Sequence, residues 1–149
     1  SNDYVLVLVG SGPELKNYEN IIDKNNLERK VIIFSSTNKP EIFYKLADVF
    51  LMTSRYESFG QTILEACVSG LQIVSFNRKS GVNTNIELML ADCKGVHFVD
   101  EQSIVALAQA IEKTSLYDQS SHSIFFHNQN ILKERYSWGR FLSIIENHQ

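Results

Sequence analysis

What most constrains this chain is a repeating order in which short, largely apolar runs alternate with stretches of helical periodicity. The first run, Tyr4 to Val9, leads through Gly10-Ser11-Gly12-Pro13 into Glu14 to Asn25, where Leu15, Tyr18, Ile21 and Ile22 fall on one helical face. Val31 to Phe34 reads as a second strand, followed by a polar loop from Ser35 to Lys39 and a short helix from Pro40 through Leu46. Three further strands are predicted over Val49 to Met52, Ile73 to Phe76 and Val96 to Val99. The helices between them span Gly60 to Ser69, stopped by Gly70, and Thr84 to Leu90. Continuous rather than alternating apolarity predicts strands covered on both faces. With helices as right-handed crossovers, the expected fold is α/β, a Rossmann-like parallel sheet flanked by helices. The spacing of Ile104, Leu107, Ala108 and Ile111 predicts a helix over Ser103 to Lys113, and two more follow over Ile124 to Tyr136 and Trp138 to Glu146. Trp138, Phe141 and Ile144 then serve packing. No repeat, low-complexity tract or linker interrupts the order, so residues 1–149 are read as one domain.

Composition removes several function classes. The longest apolar run, Tyr4 to Val9, falls far short of the roughly 18 residues that span a bilayer. Fourteen basic and seventeen acidic residues give a net charge of -3, with no Lys/Arg cluster to meet a phosphate backbone, which argues against nucleic acid. Seven glycines and two prolines imply long regular elements and argue against an all-β sandwich. Cys67 and Cys93 lack metal-ligand spacing and read as buried free thiols, suited to a reducing, cytoplasmic setting. His122 and His127 are not four apart, and the four histidines offer no ligand set, so no metal is expected. Ser1-Asn2-Asp3 enters a strand without a preceding Met, which reads as a piece excised from a longer protein.

In parallel α/β sheets, ligands bind at the carboxyl ends of strands, here the loops after Val9, Phe34, Met52 and Phe76. The first loop fails as a dinucleotide fingerprint, because Leu15 stands at the third glycine position and Phe34-Ser35-Ser36 supplies no acidic ribose ligand. It reads as a tight turn or as a backbone lining for another ligand. The loop after Met52 is richer. Glu65 is the only charge between Gln61 and Gly70, and Gln61, Glu65 and Ser69 form a polar stripe at i, i+4 and i+8 that faces solvent or a ligand. The helix starts at a strand's carboxyl end, where free N–H groups around Phe59 to Thr62 and the helix dipole favour an anion such as phosphate. Glu57 precedes that terminus, and Glu65 lies about 8 Å inside it at 1.5 Å per residue. A carboxylate accepts from both hydroxyls of a cis-diol, so Glu65 can hold a ribose while the helix end holds phosphate. The spacing suggests a nucleotide.

These residues also match a family. Ser54-x-x-Glu57-Ser58-Phe59-Gly60-x-x-x-Leu64-Glu65-Ala66-x-x-x-Gly70 resembles the signature of retaining GT-B glycosyltransferases of family 4 (group 1). Leu6-Val7-Leu8-Val9-Gly10-x-Gly12-Pro13, Val31-x-x-Phe34, Tyr44-x-x-Ala47-Asp48-Val49-Phe50 and Ile73-Val74 match in the family's order. The resemblance covers roughly residues 4 to 115, with an echo in Tyr136-Ser137-Trp138. It implies the donor-binding C-terminal half of a two-domain enzyme, acting in bacterial surface polysaccharide or glycoconjugate synthesis. Glu65 would bind the ribose of a nucleotide sugar, and Glu57, the catalytic candidate, would lie against the transferred sugar. Ser58, Phe59, Gly60, Gln61 and Thr62 would meet sugar and diphosphate, while Gly12, Phe34 and Ser35 complete the substrate-binding set. The donor is a substrate; no metal or cofactor is implied. An N-terminal acceptor domain, a first strand and phosphate-binding Arg and Lys would precede residue 1, so the isolated chain is expected to be inactive. The resemblance also allows the full-length parent to associate peripherally with the inner face of the membrane. Three departures stand out: Ser35 replaces a usual glycine, Gln72 replaces a usual proline, and Ser80 to Thr84 lacks the family's third acidic residue. Arg55, Arg78 and Lys79 are expected in solvent. Two rival readings are a GT-B sugar-nucleotide epimerase and a non-catalytic nucleotide-sugar scaffold, which the upstream sequence would separate from transfer.

Overall fold

The computed structural model describes residues 4–114 and 121–136. The predicted helix over Trp138 to Glu146, with Trp138, Phe141 and Ile144, lies outside them. Contacts divide the chain into two compact units, Ser1–Pro40 and Glu41–Gln149.

In the first unit, β1 (Leu6–Val9) pairs in parallel with β2 (Val31–Phe34), with Leu6 opposite Val31 and Val9 opposite Phe34. The connecting helix α1 (Leu15–Lys24) ends in a Schellman motif. Asn26 takes a left-handed φ of 53°, the Asn26 amide donates to the Asp23 carbonyl and the Leu27 amide to the Ile22 carbonyl. The expectation of strands covered on both faces fails here. Leu6, Val7, Val9, Ile32 and Phe34 are all at least 40% exposed, as are Tyr18 and Ile21 of α1. Two strands and one helix can cover one face at most.

The second unit meets the expectation. Its sheet runs β3 (Val49–Met52), β5 (Gln72–Phe76), β7 (Val96–Val99), with β5 central and every pairing parallel. Alternate β5 side chains feed two cores. Ile73 joins Met52, Ile63, Ala66, Cys67 and Ile86 on one face, and Val74 and Phe76 join Val82, Val99 and Ala110 on the other. Complete burial of Ile63, Ile73 and Ile86 contributes roughly 1.5–3 kcal/mol per side chain. The helices are α2 (Glu41–Leu46), α3 (Gln61–Val68), α4 (Ile86–Met89), α5 (Ile104–Thr114) and α6 (Ser121–Arg135). The predicted helix over Thr84 to Leu90 starts late, because Asn83 and Thr84 form a strand, β6 (Asn83–Thr84), that pairs with β4 (Tyr56–Glu57). Sequence reading missed both.

A buried amide fastens α6. Asn128 is fully buried; its carbonyl accepts from the Lys94 amide at 2.8 Å, and its NH2 group donates to the Lys94 carbonyl at 3.0 Å and to Cys67 Sγ at 3.3 Å. Both cysteines are free, but Cys93 is only half-buried. A hydrogen bond shared with Cys93, followed by burial, pushes the Cys67 thiol up, and the same bond lowers Cys93. Among the described residues no helix is long and apolar enough to cross a membrane.

Candidate functional site

The site is organised around α3. After β3 the chain forms the short ribbon of β4 and β6, which places Glu57 opposite Thr84, then turns sharply into the helix. Gly60 makes that turn with φ 61°, ψ 44°, in the left-handed region. A Cβ there would stand 3.1 Å from Ile63 Cγ2 and 3.5 Å from Glu57 Cγ, so both backbone angle and space select glycine.

Glu57 folds back onto the helix mouth. Its Oε1 accepts from the Gly60 amide at 2.9 Å and the Phe59 amide at 3.3 Å. The expected anion seat is thus shared: Glu57 already holds the Phe59 and Gly60 donors, which leaves Gln61 and Thr62 as the first-turn donors it does not claim. Ser58, Phe59, Gln61 and Thr62 are exposed, and Gly60 is buried. Thr84, where the family's third acidic residue would stand, is itself buried with its hydroxyl unpartnered.

Glu65, half-buried, is held by side chains instead. Its Oε2 accepts from the Tyr44 hydroxyl of α2 at 3.1 Å, and its Oε1 from Gln61 Nε2 at 3.1 Å. The polar stripe is internally bonded, since the Ser69 hydroxyl also donates to the Glu65 carbonyl at 2.8 Å. Burial, then the hydrogen bond to Glu65 and its charge, push the Tyr44 phenol up to about 12. Sequence reading missed Tyr44 as a site residue. Its contact crosses 21 positions, and its only signal was its place in the family motif.

The remaining candidates lie in the first unit. Gly12 is exposed in the turn after β1, where a Cβ would meet nothing within 4 Å, and its carbonyl accepts from the Leu15 amide at 3.3 Å. Phe34 and Ser35 are exposed at the carboxyl end of β2, and the Phe34 carbonyl joins that end to the first loop by accepting from the Gly10 amide at 3.0 Å. The structure therefore brings Gly12 and Phe34 to neighbouring loops in one unit, and Glu57 to Glu65 together in the other. Arg55, Arg78 and Lys79 are exposed as expected, with Lys79 3.6 Å from Asp100. Glu87, half-buried, accepts from the Arg78 amide at 2.9 Å and steadies the loop after β5. Among the described residues no group of three or more His, Cys, Asp or Glu is placed to hold a metal ion.

The site thus holds a carboxylate gripped from two sides about one and a half turns inside a helix whose mouth carries a second carboxylate. The sequence profile of the glycosyl transferases group 1 matches residues 1–124. The chain belongs to that family. Its relatives include an O-antigen biosynthesis glycosyltransferase, WclY of Escherichia coli, 28% identical over 120 residues, or 80% of this chain and 33% of WclY. The chain thus spans about a third of that relative's length. Among solved structures, a Staphylococcus aureus TarM mutant in complex with Fondaparinux, alpha-GlcNAc-glycerol and UDP superposes with a TM-score of 0.81 at 22% identity, over 96% of this chain and 28% of TarM. Anabaena Alr3699/HepE in complex with UDP and glucose gives 0.77 at 19% identity, over 97% of this chain and 39% of HepE. The shared fold is that of GT-B glycosyltransferases.

Proposed function

We propose that this chain is the donor-binding half of a retaining glycosyltransferase that transfers a sugar from a nucleotide sugar to an acceptor in bacterial surface polysaccharide or glycoconjugate synthesis. The observation that carries the reading is the Glu65 carboxylate, with each oxygen taking one protein donor and keeping acceptor capacity for a ribose diol. Glu57 at the helix mouth lies against the donor sugar, and the first-turn amides meet the diphosphate. UDP in TarM, and UDP with glucose in HepE, support the ligand class. The O-antigen role of WclY supports the pathway class.

In this reading the full-length parent carries an acceptor domain in addition to this half, works in the cytoplasm, where its free thiols stay reduced, and meets the membrane peripherally. The donor set offers the diphosphate amides rather than metal ligands, so transfer proceeds without a divalent cation. The decisive experiment screens UDP, GDP and ADP and their sugars for binding to the full-length parent, and assays transfer by the parent beside the 149-residue chain. Donor binding with transfer by the parent alone is expected. Robust transfer by the chain itself, or a parent that binds no nucleotide sugar, would overturn the reading.

A further inference from the structure

Glu65 is held more firmly than a lone carboxylate on a helix surface. A carboxylate half exposed on a helix would ordinarily sample several rotamers, yet here its two oxygens are fixed separately, by Gln61 from the preceding turn and by Tyr44 from another helix. Tyr44 is itself locked. Its ring is half-buried and meets Phe50 of β3 edge-on, with centroids 6.1 Å apart and planes at 63°, so ring and hydroxyl are set by the sheet. The hydroxyl thus ties Glu65 to the central sheet as well as to its own helix.

We propose that Tyr44 is a positioning residue for nucleotide recognition, its hydroxyl holding the Glu65 carboxylate at the angle from which it accepts from both ribose hydroxyls. The inference rests on the reading of Glu65 as the ribose ligand. Its chemistry is simple: the phenol donates to Oε2, Gln61 donates to Oε1, and the remaining lone pairs of the two oxygens are presented side by side, matched to a cis-diol. The phenol stays a donor throughout the neutral range, since its surroundings hold its proton well above the usual tyrosine value. Without the hydroxyl, Glu65 would keep its charge and its Gln61 contact but lose its fixed orientation.

The test uses the full-length parent, with UDP, GDP and ADP and the 2′,3′-dideoxy analogue of whichever binds, measured by calorimetry on wild type, Tyr44→Phe, Glu65→Gln and the double variant. Tyr44→Phe keeps the ring against Phe50, and a thermal melt checks that it folds as wild type does. Wild type should prefer the ribonucleotide. Tyr44→Phe should weaken ribonucleotide binding about 5- to 20-fold, less than the roughly 10- to 150-fold worth of a whole hydrogen bond to a charged group because the Gln61 contact with Glu65 remains, while leaving the dideoxy analogue nearly unchanged. In steady state the same variant should raise the donor KM with kcat within about twofold. In the Glu65→Gln background the substitution should cost much less. If wild type does not distinguish the ribonucleotide from its dideoxy analogue, the ribose reading of Glu65 fails and this inference fails with it. If wild type does distinguish them and Tyr44→Phe either matches it or loses both ligands equally, the ribose reading survives and the positioning role of Tyr44 is overturned.

Discussion

The two glutamates of the motif stand eight residues apart and are both half-buried, yet they are restrained by different parts of the molecule. Glu57 is tied to main chain, to the Phe59 and Gly60 amides at the helix mouth. Glu65 is tied to side chains, Gln61 and Tyr44, inside the helix. A carboxylate bound to backbone amides competes for the donors that an incoming phosphate would use, so its position is exchangeable with ligand. A carboxylate bound by neutral side chains keeps its post whether or not ligand is present. The first suits a group that responds to the reacting end of a substrate, the second a fixed anchor.

The largest effect that should separate them is on turnover in the full-length parent. Glu57→Gln retains an acceptor for the two amides but removes the charge that the proposed function sets against the donor sugar. It is expected to lower kcat roughly 100- to 1,000-fold, as when one preorganised electrostatic group is lost, with little change in nucleoside diphosphate affinity. Glu65→Gln should do the reverse, weakening nucleoside diphosphate binding by about 1.5–3 kcal/mol in calorimetry, the worth of a charge-assisted hydrogen bond. Equal affinity losses in both variants, or none in Glu65→Gln, would erase the distinction, and near-wild-type values for both would mark them as solvated surface carboxylates.

Gly60 offers a sharper cut, because it shapes only the mouth. Gly60→Ala must hold a side chain at φ 61° within 3.1 Å of Ile63 Cγ2, and should lose about 1–2 kcal/mol of stability by denaturant titration. Ala at the exposed Thr62, two residues on in the first turn of the helix, should change stability by less than about 0.5 kcal/mol.

A smaller effect concerns pH. The Tyr44 phenol has a folded-state pKa of about 12, against 10 for an unrestrained tyrosine. Between these values the unfolded chain has released its proton and the native chain retains it, so this contribution is complete below about pH 10 and is lost as pH rises toward 12. Melting temperatures through that window should fall less steeply in Tyr44→Phe than in wild type. The smallest expected effect is none at all: EDTA should leave the parent's transfer rate unchanged, and loss of activity restored by magnesium or manganese would show that the helix mouth does not carry the diphosphate alone.

How much of this was legible in the sequence depended on the range of the interaction. Val49–Met52, Val31–Phe34 and Val96–Val99 were read to the residue, because a short apolar run bounded by polar residues encodes a strand locally. The positions of Glu57 just before the helix mouth and of Glu65 inside the helix followed from local spacing. Tyr56–Glu57 and Asn83–Thr84 were not legible, since two polar-rich residues acquire strand geometry only from each other. Nor was the grip of Tyr44 on Glu65, which depends on how α2 packs beside α3. Apolarity also predicted the same coverage for β1 as for β5, whereas Ile73 and Val74 are fully buried and Leu6 and Val7 more than 40% exposed. A run of valines and leucines identifies a strand, but the number of elements beside it decides what is covered.

The ribbon joining β4 to β6 bears on how such a chain can be altered by evolution or design. Residues 77–82 include exposed Arg78, Lys79 and Gly81 and look like a surface loop that would accept added or deleted residues. They are instead the spacer that sets the pairing of Thr84 with Glu57. Moving that pairing by one residue would turn successive side chains to the opposite face of the ribbon. Changes of length there should therefore be disfavoured, and so should changes at buried Asn77 and Val82, while the exposed Arg78 and Lys79 side chains can vary, so that a segment remote in sequence from the helix bears on the angle at which Glu57 meets the mouth.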